Sequence, residues 1–450
     1  MSDNVVRFID LFAGIGGIRT GLSQALIEAG FEPRCVMTSE IKPYAIKVLQ
    51  DNYAHDRIVG DITQVQSRDI PDFDILCAGF PCQAFSSAGK RQGFADTRGT
   101  LFFEVERILR DKKPKGFILE NVEGLVNHDK GRTFQVIISR LLEMGYKVSY
   151  KVLNSSDFGV PQERKRIYII GSYIEAPLMD FAKEKRSVMK DILENGKPTN
   201  ASPFIATLLK HFTIEQLYGK AIKDKRGGAT NIHSWDIELK GPISSQQKNL
   251  LNSLLRERRK KKWAEEIGIK WMDGMPLTQE QIKTFFNVPN LQELLDDLVQ
   301  KGYLKYEYPK QLVQTMDLFG NMKTERKADP SLPRGYNIVA GKLSFEINKV
   351  IGPEEIAPTL VAMDMQKLYV ADNGGLRKLT IREGLRLFGY PETMTLNVSE
   401  KEGFDLLGNT VVVPVIKAVA TNLIKTIYKT ENNVSQVNGR TIVRDSYLQR

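Results

Sequence analysis

Asp74-Ile-Leu-Cys-Ala-Gly-Phe-Pro-Cys-Gln-Ala-Phe-Ser-Ser-Ala-Gly-Lys90 is an apolar run that stops at a Pro-Cys pair. Asp74 to Ala78 reads as a parallel strand buried on both faces. Gly79-Phe80-Pro81 ends it in a turn, and in an open α/β sheet such a turn lifts the next side chain into the crevice at the carboxyl edge. That side chain is Cys82. A polar loop follows through Arg91, Gly93, Asp96 and Gly99, ahead of a helix expected near Thr100 to Arg110.

A thiol in this position is a nucleophile when a cation or helix N-terminus populates its thiolate, whereas an isolated cysteine more often packs as a small hydrophobe. Two downstream blocks favour the nucleophile: Glu120-Asn121-Val122, then Gln162-Glu163-Arg164-Lys165-Arg166. In that order, these blocks resemble the cytosine-C5 DNA methyltransferases of bacterial restriction–modification systems. Asp10-Leu-Phe-Ala-Gly-Ile-Gly-Gly17, Gly60-Asp-Ile-Thr63, Arg98-Gly-Thr-Leu-Phe-Phe103 and Gly408-Asn-Thr-Val-Val-Val-Pro414 extend the likeness to about residues 5–175 and 377–425.

At 450 residues the chain exceeds the usual size of a single core, so two lobes are expected. The net charge of +10 suits a polyanionic partner. Cys35, Cys77 and Cys82 are too few and too scattered for a disulfide framework, which points to a reducing compartment. Neither they nor His55, His128, His211 and His233 have zinc-like spacing, so no metal is expected. The N-terminus lacks a basic start and an apolar core, and no run of about eighteen apolar residues occurs. A cytoplasmic protein with no membrane association is the expectation.

Val5 to Leu11 reads as a strand, and Phe12-Ala-Gly-Ile-Gly-Gly17 as a glycine-rich turn into a helix from about Ile18 to Ala29. Such a turn suits a nucleotide-like cofactor, or is only a tight connection. A second strand from Arg34 to Ser39 ends at Glu40, where α/β folds place an acid on ribose hydroxyls, and Asp61 follows a third element. Each acid reads equally as a helix N-cap or a solvated turn residue. No Gly-x-x-x-x-Gly-Lys-Ser/Thr loop is present, which argues against ATP.

The resemblance implies S-adenosyl-L-methionine, with S-adenosyl-L-homocysteine as product. It places Phe12, Gly14 and Gly17 in the glycine turn, Glu40 on the ribose, and Asp61 and Ile62 at the adenine. Gly79 and Pro81 fall near the methionine part, and Leu101, Asn409 and Val411 complete the cofactor set. Ile41 departs from the family, where the residue after the acid is often aromatic.

Gly116 to Leu119 reads as another apolar strand, delivering Glu120 to the same edge as Cys82. A carboxyl group in a partly desolvated pocket holds a proton near neutrality. Glu120 would then protonate N3 of a cytosine while Cys82 adds at C6, which makes C5 nucleophilic toward the cofactor's methyl group. Asn121 orients the base or the loop, or is a simple turn residue. Arg164 and Arg166, two apart on an extended segment, point to one side, so both are expected to face the pocket. The resemblance gives them the flipped nucleotide, its phosphate and the thiolate. Solvated surface charge is the alternative, and the preferred one for Lys165.

After Gly171 the family pattern lapses for about two hundred residues. Arg256-Glu-Arg-Arg-Lys-Lys-Lys262, near Trp263 and Trp271, suits phosphate contact, with Arg258, Arg259 and Lys260 as candidates and a solvated helix face as the alternative. Leu277 to Tyr308 reads as helix–turn–helix–strand, either a winged-helix-like insertion or two packed amphipathic helices with a strand. Asp329 to Asp372 suggests irregular β structure and loops. By resemblance, Arg98 and Thr359 contact DNA.

The expected fold is α/β, a class I S-adenosylmethionine-dependent methyltransferase with a Rossmann-like, doubly wound mixed sheet and an inserted smaller target-recognition domain. The expected boundaries are 1–178 and 406–430 for the catalytic domain, 179–376 for recognition, 377–405 for a hinge and 431–450 for a polar tail. The implied substrate is double-stranded DNA with its cytosine flipped out of the stack, attacked through a covalent Cys82–C6 adduct under a lid from Gln83 to Arg98. A monomer is expected, with a possible restriction endonuclease acting on the same site. A tRNA cytosine-C5 methyltransferase and a catalytically silent DNA-binding regulator are the alternatives.

Overall fold

The computed structural model describes residues 4–53, 57–81, 101–224, 231–270, 274–316, 322–339, 345–361 and 365–428. Cys82, Arg98, Trp271 and the expected lid lie outside the described residues.

Seven strands form the central sheet among these residues: β1 (Val5–Leu11), β2 (Glu32–Ser39), β3 (Ile58–Val59), β4 (Ile75–Gly79), β5 (Gly116–Val122), β6 (Lys147–Asn154) and β7 (Lys165–Ser172). Their order is β3-β2-β1-β4-β5-β7-β6, and only β7 runs against its neighbours. The uninterrupted apolar reading of β4 has a simple cause. It lies between β1 and β5, and Ile75, Leu76, Cys77 and Ala78 are all buried because helices cover both faces. Strand order reverses between β1 and β4, which opens a crevice at their carboxyl ends.

Helices α1 (Gly17–Glu28) and α2 (Pro43–Asn52) pack on one face of the sheet, and α3 (Leu101–Lys112) and α4 (Arg132–Glu143) on the other. Helices α1 and α3 begin and end within two residues of the bounds read from the sequence.

The chain from Pro203 onward builds a second region. Helices α5 (Pro203–His211) and α6 (Ile214–Leu217) and strands β8 (Ala221–Ile222) and β9 (Asn231–Ile232) come first, followed by α7 (Ser245–Glu257), α8 (Lys262–Glu266), α9 (Gln279–Lys283) and α10 (Leu291–Gln300). Strands β10 (Leu304–Glu307), β11 (Lys310–Met316), β12 (Met322–Ala328), β13 (Gly335–Ile338), β14 (Lys349–Ile351), β15 (Leu368–Asp372) and β16 (Gly375–Lys378) follow. Thr278 caps α9 in a capping box with Gln281.

Strand β10 pairs antiparallel with β13, and Leu277 bridges to Tyr336 on the far side of β13. Helix α7, the Leu277 bridge, α9, α10, β10, the β11–β12 hairpin and β13 therefore follow the order of a winged helix. This unit has its own core, with Leu250, Leu254, Trp263, Ile282, Leu295 and Tyr336 among its buried members. The stretch read as irregular β supplies β14 and β15, which join a five-stranded sheet of order β16-β15-β14-β8-β9.

Helices α11 (Ile381–Leu387), α12 (Glu400–Gly408) and α13 (Val413–Tyr428) close the chain among the described residues. Helix α13 returns to the first sheet and packs along α1. A Cβ at Gly21 would lie 2.6 Å from Ile416 Cβ, so only glycine permits this approach. Ile351, Ala357, Leu360 and Val370 share that core with α13, although they fall inside the expected recognition domain. Arg377, within the expected hinge, bonds Glu383 at 2.7 Å and Asp372 at 2.8 Å and donates to the Glu194 carbonyl. The buried pair thus ties the two ends of the inserted region together.

Candidate active site

Parallel pairing sets Gly79 of β4 level with Glu120 of β5, at the carboxyl edge where the sequence put both. The Glu120 carboxylate lies 3.6 Å from where a Gly79 Cβ would be, so the end of β4 and the acid are in van der Waals reach of each other. Glu120 is buried, and its pKa is raised because burial penalises the charged form more than Arg166, then Arg164, favours it. Arg166 sits opposite Val122, and its Nε reaches diagonally to Glu120 Oε1 at 3.2 Å.

Asn121 is the next residue along β5, on the other side of the pleat. Its side-chain amide donates to the Phe80 carbonyl at 2.8 Å, which pins the Phe80-Pro81 turn leading to Cys82. Phe80 packs on Phe102 of α3, anchoring the same turn from below. Pro81 is exposed at the edge of the described chain.

Arg164 and Arg166 both lie near enough to Glu120 to favour its charged form, but the Arg164 guanidinium is the more enclosed of the two. It is 4% exposed and donates to the main-chain carbonyls of Leu360 at 2.8 Å and Thr410 at 2.9 Å. Burial and the neighbouring Arg166 charge pull Arg164 down to about 10, which leaves it charged at neutral pH. The residue is a brace between the inserted region and the returning chain.

In front of Arg166 an open cleft of about 430 Å³ is lined by Val122, Glu123, Glu163, Lys165, Pro358 and Thr359 among others. Thr359 is exposed on its rim and donates to the Glu163 carbonyl at 2.7 Å. A short parallel bridge from Gln162 to Ala357 holds this rim in place.

At the crevice between β1 and β4, Glu40 receives the Gly14 N–H at 2.7 Å on one oxygen and the Ile41 and Lys42 amides on the other. Gly14 has a φ of +56°, and no heavy atom lies within 4 Å of where its Cβ would stand. Phe12 also has positive φ, at 55°, a conformation that L side chains rarely adopt. Ile62 is buried beside this crevice, Ile41 is 69% exposed, and Leu101 is partly buried at the start of α3. Asp61 accepts from Thr63 N–H, the capping role weighed for it from the sequence.

Gly17 and Val411 meet each other: a Cβ on the glycine would lie 2.7 Å from the valine Cγ2, so both serve packing between α1 and the returning chain. Asn409 donates to the Asp405 carbonyl at 2.8 Å.

Asp10, quoted in the sequence but given no role, is fully buried at the end of β1, and neither carboxylate oxygen makes a hydrogen bond of ordinary geometry. Burial drives its pKa up to about 8, against the opposing pull of the Arg19 charge and backbone N–H. Gln162 is likewise buried, and its amide donates to the Leu387 carbonyl. An open glycine turn and a carboxylate held by backbone amides suit a ligand with ribose hydroxyls, as S-adenosylmethionine has.

The basic run resolves differently from its expected use. Arg258 is buried at the C-cap of α7 and donates to Asn337 at 2.6 Å, so it is not a phosphate ligand. Lys260 pairs with Glu257 at 2.6 Å, and Arg259 is half-buried. Trp263 is a core residue whose indole N–H donates to the Glu257 carbonyl. Cations gathered at a helix C-terminus are favoured by its dipole, which accounts for part of the run without DNA. Among the described residues no cluster of three or more metal-binding side chains occurs.

Residues 6–425 match the C-5 cytosine-specific DNA methylase family. Type II methyltransferase M.NlaIV of Neisseria lactamica is 59% identical over 94% of this chain and 99% of its own length. Type II methyltransferase M.NgoBV of Neisseria gonorrhoeae is 58% identical over the same shares. The solved structure of the Entamoeba histolytica methyltransferase EhMeth, 16% identical, superposes with a TM-score of 0.50 over 94% of this chain and 98% of that one, a likeness of fold.

Proposed function

Because the chain belongs to the C-5 cytosine-specific DNA methylase family and is a DNA cytosine methyltransferase of the restriction–modification type, we propose that Cys82 and Glu120 flank a flipped cytosine and carry the chemistry. The observation that carries this reading is the position of Glu120, buried, paired with Arg166, and level with Gly79 just upstream of Cys82.

Burial raises the proton affinity of Glu120, and the acid donates a proton toward N3 of the ring, drawing electrons from C6. The Cys82 thiolate adds at C6. A thiol suits this step because it is a polarizable nucleophile that also leaves. The ring electrons displaced by the addition make C5 nucleophilic. S-adenosylmethionine, the cofactor of the family, supplies an electrophilic methyl group when bound. Loss of the C5 proton and of the thiolate then restores aromaticity.

In this reading Arg166 holds Glu120 in place and borders the base, while Asn121 positions the turn that presents Cys82. Phe12, Gly14, Glu40, Ile41, Asp61, Ile62 and Gly79 form the cofactor crevice, with Pro81, Leu101 and Asn409 at its margin. Thr359 and Arg98 contact the DNA backbone. Residues 1–178 and 406–430 make the catalytic lobe, residues 179–376 supply recognition, and residues 377–405 join them. The enzyme acts as a monomer on cytoplasmic DNA and protects the site of a partner endonuclease.

Wild type and Cys82→Ser protein incubated with tritiated S-adenosylmethionine test this. Label is expected at C5 of cytosine in duplex DNA with wild type only. Equal labelling by both proteins would remove Cys82 from the reaction. Preference for tRNA would favour the RNA-modifying branch, and no labelling of any nucleic acid by wild type would favour a silent DNA-binding role.

A further inference from the structure

The winged-helix unit raises the question of which of its parts meets DNA. In most such units the second helix of the pair enters the major groove. Here that helix is α10, whose sequence LQELLDDLVQ holds three acids and no base. Glu293 and Asp296 are exposed on its outer face, which a phosphate backbone would repel.

The hairpin has the opposite charge. Strands β11 and β12 carry four basic residues and one acid, and neither face is covered: Leu312 is 41% exposed and Val313 40%. We propose that the β11–β12 hairpin, and not α10, is the part of this unit that contacts duplex DNA, using the face that carries Lys310, Leu312, Gln314, Thr324 and Arg326. The inference rests on duplex DNA being the substrate.

Register defines that face. Leu312 pairs with Arg326 and Gln314 with Thr324, and cross-strand partners stand on one side of a ribbon. The lone acid, Glu325, pairs with Val313 on the other side. The chosen face therefore offers two cations, an amide and a hydroxyl with no carboxylate among them.

Residues two apart on a strand repeat at about 6.8 Å, twice the rise of about 3.4 Å per base pair, so successive cross-strand pairs keep step with alternate base pairs. The base of the hairpin is fixed. Gln311 donates to Asp329 at 2.7 Å, and the Arg334 guanidinium lies 4.5 Å from the Tyr306 ring centre. A two-stranded ribbon with both faces in water is marginal alone, which suits a surface completed by a bound duplex.

The test uses the full chain and plasmid DNA that wild type methylates. Lys310→Ala/Arg326→Ala is compared with Glu293→Ala/Asp296→Ala, reading KM for DNA, the slope of log affinity against log salt, and Tm. The hairpin variant is expected to raise KM for DNA roughly tenfold or more and to flatten the salt slope by about two, near one for each lost phosphate contact, at unchanged Tm. The helix variant is expected to leave KM within about twofold. An active wild type with an unaltered hairpin variant, or a helix variant that loses DNA, overturns the assignment of the hairpin alone. A wild type that methylates no duplex DNA overturns the functional reading on which it rests.

Discussion

Arg166 reaches across from β7 to Glu120 on β5 at 3.2 Å, with 14% and 10% of the two side chains exposed. The pair makes the site's acid a tuned one. Burial pushes the Glu120 proton affinity up and the guanidinium pulls it down, and burial wins.

Glu120→Gln keeps the shape and removes the proton. Single-turnover methyl transfer is expected to slow by roughly a hundredfold to ten-thousandfold, the usual worth of a positioned acid. DNA affinity measured alongside should change little. A variant with full activity would show that the ring is activated in some other way.

Arg166→Gln removes the charge that favours the Glu120 carboxylate, so the acid holds its proton to higher pH. If protonated Glu120 is the active form, the descending alkaline limb of kcat/KM should move upward in the variant. A limb that stays in place, or moves down, would assign it to another group.

Arg164→Met leaves buried carbonyls at Leu360 and Thr410 without a donor. A loss of about 3 kcal/mol in urea unfolding is expected, from unsatisfied buried acceptors. Unchanged stability with weakened DNA binding would return Arg164 to the nucleotide-holding role read from the sequence.

Asp10 holds its proton up to about 8, against an ordinary 3.8. Between those values the native chain keeps a proton that the unfolded chain has released, so the contribution of Asp10 to stability declines as pH rises through the window. Relative to Asp10→Asn, wild type should lose stability from pH 6 to pH 8 at up to about 1.4 kcal/mol per pH unit. Denaturant titrations at the two pH values check this, and a constant difference would show that Arg19 fully offsets the burial.

Much of the catalytic lobe was legible because its strands are buried on both faces. Uninterrupted apolar runs such as Ile75–Gly79 carry their meaning locally, and the turns after them locate the acid and the thiol on one edge. The partners of Arg164 were not legible, because the carbonyls that capture its guanidinium come from residues 360 and 410, far along the chain. Arg258 was misread for a related reason: a basic run looks solvated until tertiary packing places Asn337 beside it. The winged-helix order was half visible, since helix–turn–helix is local, whereas the Leu277–Tyr336 bridge joins distant residues.

Helix α13 seats against α1 through the bare backbone at Gly21, so the nucleus of the methylating half is assembled from two segments nearly four hundred residues apart. A polypeptide severed anywhere inside the insertion would leave one member of that helix couple on each fragment. Coexpressed halves then have a cohesive joint of their own, which makes the enzyme a natural candidate for fragment complementation and for grafting foreign specificity segments between them.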